Sequence, residues 1–125
     1  MNNASSQPVV SVNPHENSAV AGMGSFTSYV HNLAGKCTLY VDSANIRILR
    51  FEDFNMSQGP DVYVFLSKAN NYSEANVVQL ARLGDGYSKA SLHFNVDPTI
   101  DLSKYQFVLV YCVQYNSLFG YAELM

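Results

Sequence analysis

The sequence has no tryptophan, only two cysteines and three histidines, and little charge: 14% of its 125 residues are Asp, Glu, Lys or Arg. Its seven Lys and Arg are scattered and form no basic run, and the net charge is -3. Nucleic acid and an anionic membrane surface are therefore poor partners. Two cysteines, Cys37 and Cys112, are too few for a disulfide scaffold. No apolar run approaches the roughly 20 residues that a membrane-spanning helix needs. No segment carries a helical period. There is no Cys-x-x-Cys pair, no Gly-x-Ser-x-Gly elbow and no glycine-rich phosphate loop. Glu52 and Asp53 are adjacent and would diverge on a strand, so no paired acid and base is evident. A hydrolase would need residues that are not there.

What the chain does have is apolar and aromatic substance: 48% hydrophobic residues, with nine Tyr and seven Phe. That is enough for one packed domain at this length. Residues 1–22 read as a flexible linker, with Pro8, Pro14 and several Asn and Ser. Val9, Val10 and Val12 are a short patch suited to an edge, and His15 has no partner nearby. Residues 23–125 read as the domain. Phe26, Ser28 and Val30 alternate with their neighbours, and Leu33-Ala34-Gly35 turns the chain. Cys37, Leu39 and Val41 then face inward against Lys36, Thr38 and Tyr40. Ile46–Phe51 is a third strand, with Arg47 and Arg50 on opposite faces. Glu52–Asp61 reads as a loop whose acids lack the alternation of a calcium loop. Val62–Leu66 is a two-faced central strand and residues 69–75 are a polar surface loop. Short strands follow at Val77–Leu80 and at Tyr87–Val96, where His93 opposes Leu92, Phe94 and Val96 at the surface with no second histidine at ligand spacing. About eight strands with turns every 8 to 12 residues make an all-β, antiparallel β-sandwich, jelly-roll or immunoglobulin-like.

The chain is organised around Phe107-Val108-Leu109-Val110-Tyr111-Cys112-Val113, its longest apolar run. Alternation puts Tyr105, Phe107, Leu109, Tyr111 and Val113 on one face and Val108, Val110 and Cys112 on the other. A strand apolar on both faces lies mid-sheet under a second layer, beside or facing Val62–Leu66. Asn116-Ser117 turns into a returning strand, Leu118–Leu124, where Gly120 and Ala122 let neighbours come close. Cys112 is the candidate reactive residue. A thiol acts as its thiolate, which needs a nearby cation, metal or helix start, and Val110, Tyr111, Val113 and Gln114 supply none. From these residues alone the better reading is a small buried hydrophobe. Tyr111, Tyr115, Phe119 and Tyr121 are the aromatics placed to wall a ligand slot or relay electrons beside it, or simply to pack. Cys37 and Cys112 are free to pair or to stay apart.

Asp101–Tyr105, Val110-Tyr111-Cys112 and Leu118–Leu124, with Gly59–Ser67, Gly24-Ser25-Phe26 and His31–Gly35 in order before them, resemble the DM13 domain family over about residues 24 to 124. The resemblance implies a β-rich extracytoplasmic domain proposed to act in redox or electron transfer. Its cysteine, Cys112 here, would be a bare thiol or a cofactor ligand, with haem as one candidate prosthetic group. Tyr111, Tyr115, Phe119 and Tyr121 would then be cofactor walls. It implies a protein redox partner or a cell-surface protein. It also implies a periplasmic, cell-surface or secreted location, with a signal segment or lipid anchor ahead of these residues. The competing reading is a binding or adhesion module whose cysteine is structural. A carrier for a small apolar ligand is a third.

Overall fold

The computed structural model describes residues 18–125; the Val9–Val12 patch and His15 lie outside them. Among the described residues nine strands form: β1 (Ser18–Ser25), β2 (Thr27–Ser28), β3 (Leu33–Asp42), β4 (Arg47–Met56), β5 (Val62–Ser67), β6 (Val77–Arg82), β7 (Tyr87–Val96), β8 (Phe107–Cys112) and β9 (Ser117–Glu123). They make two antiparallel sheets, four-stranded in the order β1-β3-β4-β7 and five-stranded in the order β2-β9-β8-β5-β6. This is the all-β sandwich that the alternating pattern predicts.

Residues 18–22 are not linker. They pair with β3 from Ser18↔Asp42 onward. The chain changes sheets at Phe26, which is buried and stands edge-on to Phe51 at 4.9 Å between ring centres. One side chain thus fastens the first strand pair to the middle of the core, where edge-to-face aromatic packing adds to apolar burial.

Two strands run further than their sequence pattern. Leu33-Ala34-Gly35 is no turn: it opens β3, and Gly35 sits at a bulge with φ of +132°. A Cβ there would meet the Phe54 backbone at 2.9 Å. Only glycine takes that conformation at so close an approach. Opposite it, Glu52–Met56 continues β4 rather than forming a loop, because Phe54 and Met56 both reach the core. Val62 to Leu66 neighbours the apolar run directly, with Val62↔Cys112 and Leu66↔Val108 in register.

The core lies between the sheets and takes Val62, Val64 and Leu66 from β5, Val108, Val110 and Cys112 from β8, and Leu49, Phe51 and Phe54 from β4. A second, smaller apolar layer covers the outer face of the five-stranded sheet, centred on Phe65, Leu109 and Tyr111. Alternation along β8 therefore holds from Phe107 to Cys112. It fails at Tyr105, which follows a short 3-10 turn and packs on the main core, and at Val113, which lies past the strand end and is exposed.

Candidate aromatic face and interior sulfur

Tyr111 and Cys112 are consecutive at the end of β8, so a strand's alternation sends them to opposite faces. Cys112 faces the second sheet. It is 1% exposed, and its cross-strand neighbours are Val62 and Ser117. The Ser117 hydroxyl is hydrogen-bonded to His31 Nε2 at 3.0 Å. The His31 ring lies over Phe119, 4.0 Å between centres and 26° from parallel.

Tyr111 faces outward and is floored by the second apolar layer. The loop after β5 folds back over it and lays Tyr72 flat on its ring, 4.0 Å between centres and 6° from parallel. Phe65 closes the cluster edge-on to both rings, at 5.2 Å from Tyr72 and 6.1 Å from Tyr111. The Tyr111 hydroxyl donates to Asn116 Oδ1 in the β8–β9 turn at 3.2 Å. Burial raises the Tyr111 phenol above its ordinary value, and the neighbouring Tyr72 and Cys112 raise it further. The phenol therefore holds its proton at neutral pH.

An open groove of about 470 Å³ runs beside this stack. Its floor is Tyr111, Leu118 and Tyr121. Tyr29 stands on one side, Asn70, Asn71 and Tyr72 on the other, and Asn116 closes an end.

A protein-family model described as electron transfer DM13 matches residues 25–124. The chain belongs to the DM13 family. No curated protein and no solved structure matches it. That family is described as one of electron transfer.

In this DM13 domain the five sequence-predicted site residues do not form one cluster. Tyr111 and Tyr121 line the outer groove. Cys112 and Phe119 belong to the inter-sheet core. Tyr115 sits in the β8–β9 turn, 66% exposed, and lines neither this groove nor the smaller one at Gln58, Gly59, Pro60 and Asp85. Cys37 is also buried in the core, and both cysteines are free thiols. Burial among hydrocarbon drives the Cys37 thiol pKa strongly upward, so it stays protonated.

The residues do not fit a haem held by Cys112. A thiolate ligand needs an open slot and a compensating charge. Cys112 packs between the sheets, and neither described groove reaches it. Tyrosine is the one haem-ligating side chain lining the outer groove. Tyr111, which makes its floor, keeps its proton and donates a hydrogen bond to Asn116 Oδ1. Among the described residues, no group of three or more His, Cys, Asp or Glu is placed to hold a metal ion.

Sequence reasoning missed Tyr72, which it placed in a polar surface loop. A signal was present. Asn70-Asn71-Tyr72-Ser73-Glu74 carries one large ring among polar residues, and such a ring in a loop is usually there to cover something. Tyr29 and Asn116 carried no such signal, because turn polarity alone accounts for an asparagine.

Proposed function

We propose that this DM13 domain transfers electrons along β8, with the stacked Tyr72–Tyr111 pair as the entry at the outer face and Cys112 as the sulfur immediately behind it. One observation carries the reading: Tyr111, bordering an open groove, is bonded in sequence to Cys112, and Tyr72 extends its ring system toward solvent at 4.0 Å. The sulfur is closed to ligands and nucleophilic partners, so exchange with it is outer-sphere. An oxidising partner protein takes one electron by way of Tyr111, the Cys112 S–H bond breaks to leave a thiyl radical, and the proton passes to the Ser117–His31 hydrogen bond on the neighbouring strand; re-reduction returns electron and proton. Asn116 orients the Tyr111 hydroxyl, and the hydrocarbon around Cys112 keeps water away from it.

The partner on this reading is a redox protein that docks on the aromatic face. The domain acts outside the cytoplasm, as a periplasmic, secreted or surface-anchored protein; what supports that location is the resemblance to the family. A second reading has its own observation. Cys112 is sealed among apolar side chains of the core, which favours a binding module in which the sulfur only packs.

Square-wave voltammetry on the wild type, Tyr111→Phe and Cys112→Ala decides between them. Phenylalanine keeps the ring and the stack while removing the oxidisable phenol. Tyr111→Phe is expected to slow electron exchange at least about tenfold, a barrier change near 1.4 kcal/mol. Cys112→Ala is expected to abolish the wave while the protein stays folded. A wave that survives Cys112→Ala supports the second reading, and unchanged exchange in Tyr111→Phe overturns the route.

A further inference from the structure

The groove on the outer face of the five-stranded sheet has a lining that electron transfer does not call for. Among the described residues it holds four tyrosines, three asparagines and one leucine, and no acidic or basic side chain. We propose that it binds a neutral oligosaccharide, a few sugar rings long.

Charge comes first. With no Asp, Glu, Lys, Arg or His in the lining, the groove has nothing to balance an anion or a cation, and burying an unpaired charge is costly. The ligand is neutral.

Its hydrogen-bonding pattern comes next. Each asparagine offers two N–H donors and a carbonyl acceptor, and each phenol both donates and accepts. Seven such side chains around one groove suit a ligand that donates and accepts at many points. A polyhydroxylated ring does this; a hydrocarbon or a simple quinone does not.

Ring faces are the third requirement. A pyranose presents C–H groups on its broad face and hydroxyls around its rim. Tyr29, 70% exposed, and Tyr121, half-buried against Phe107, supply faces for the first, with the asparagines placed around them for the second. A flat redox ring would instead need a slot between parallel aromatics. The parallel pair in this groove, Tyr72 and Tyr111, is already closed on itself at 4.0 Å.

The lining is also held in place before any ligand arrives. The Tyr29 backbone N–H donates to the Phe119 carbonyl at 2.8 Å, Asn116 Oδ1 accepts from the Tyr111 hydroxyl, and the Asn71 backbone carbonyl accepts from the Ser67 hydroxyl at 3.5 Å. Groups fixed in advance lose little entropy on binding. The groove's volume falls within the range of ordinary small-ligand sites.

This inference does not rest on the electron route, because Tyr29 and Asn70 lie outside it. The test is a titration of the full chain with neutral cello-, malto- and manno-hexasaccharides, with a uronic-acid hexasaccharide as the charged control. Calorimetry and the emission of the nine tyrosines report binding. At least one neutral hexasaccharide is expected to bind saturably and the charged one not to. Tyr29→Ala and Asn70→Ala, both on exposed side chains, are each expected to weaken binding at least about tenfold without changing Tm. Absence of saturable binding by all three neutral sugars overturns the proposal. So does equal binding of the charged control, an affinity indifferent to Tyr29→Ala, or a planar naphthoquinone that displaces the sugar at stoichiometric concentration. The voltammetry above involves no sugar, so either idea can fail while the other stands.

Discussion

The two faces of β8 carry similar residues and meet different fates. On the inner face Val108, Val110 and Cys112 press against a whole second sheet and are all but inaccessible. On the outer face Leu109 is buried as fully under neighbouring side chains, while Tyr111 is covered by the loop that brings Tyr72 and borders the groove beside it. A sheet covers completely. A loop covers a strip and leaves a groove at its margin. A residue's accessibility therefore depends on what packs over its face more than on the residue, and chemistry needing contact with a ligand belongs on the outer side of β8.

The sharpest way to break that contrast is from inside. Phe119→Ala removes a side chain that is buried in the inter-sheet core under the His31 ring. It should destabilise the domain by about 3–5 kcal/mol in denaturant unfolding at unchanged m. Next in size is Gly120→Ala. A methyl there would overlap the Thr27 carbonyl, so β2 must shift away from β9, at a cost of about 1–3 kcal/mol by the same measurement. The outer counterpart is milder. Tyr72→Ala gives up one stacked pair in a partly solvated layer and should cost about 0.5–1.5 kcal/mol. It should also bring the Tyr111 phenol back toward its ordinary value in a spectroscopic titration, since burial and Tyr72 are two of the causes that raise it.

The smallest effect lies on the outer face of the four-stranded sheet, which is polar where the other is aromatic. There Arg50 pairs with Glu52 at 3.2 Å and lies 3.4 Å from His93 Nε2. Burial lowers the His93 pKa below the ordinary 6.5, Arg50 lowers it further, and Glu52 partly restores it. With the folded pKa below the unfolded one, the unfolded chain binds the proton more readily. Stability is then full above about 6.5 and declines as pH falls through that value. Unfolding at pH 5 and pH 7.5 should show a smaller difference for His93→Gln than for the wild type.

Much of the fold was legible because it rests on a period of two. The opposite facing of Tyr111 and Cys112 and the inward turn of Cys37 follow from alternation, while the two-faced apolar runs put β5 beside or facing β8 and the structure pairs them directly. What alternation could not show was where bulges let a strand continue. Gly35 read as a turn residue and Glu52–Asp53 as a loop because turn composition and bulge composition overlap. The electron-transfer family was legible from the spacing of Gly59–Ser67, Cys112 and Phe119-Gly120. The groove was not. Its residues come from the chain after β2, the β5–β6 loop, the end of β8, the β8–β9 turn and β9, and only packing across the sheet brings Tyr29, Tyr72 and Tyr121 to one place.

The central claim is that the sulfur behind Tyr111 is sealed while the ring in front of it borders an open groove. Native-state thiol labelling at pH 8, resolved by mass spectrometry, tests this directly. The structure predicts that Cys112 and Cys37 stay unmodified in the folded protein and react together once it is unfolded. Rapid modification of Cys112 in the native state, with Cys37 untouched, would contradict it and would put ligand chemistry back at the sulfur itself.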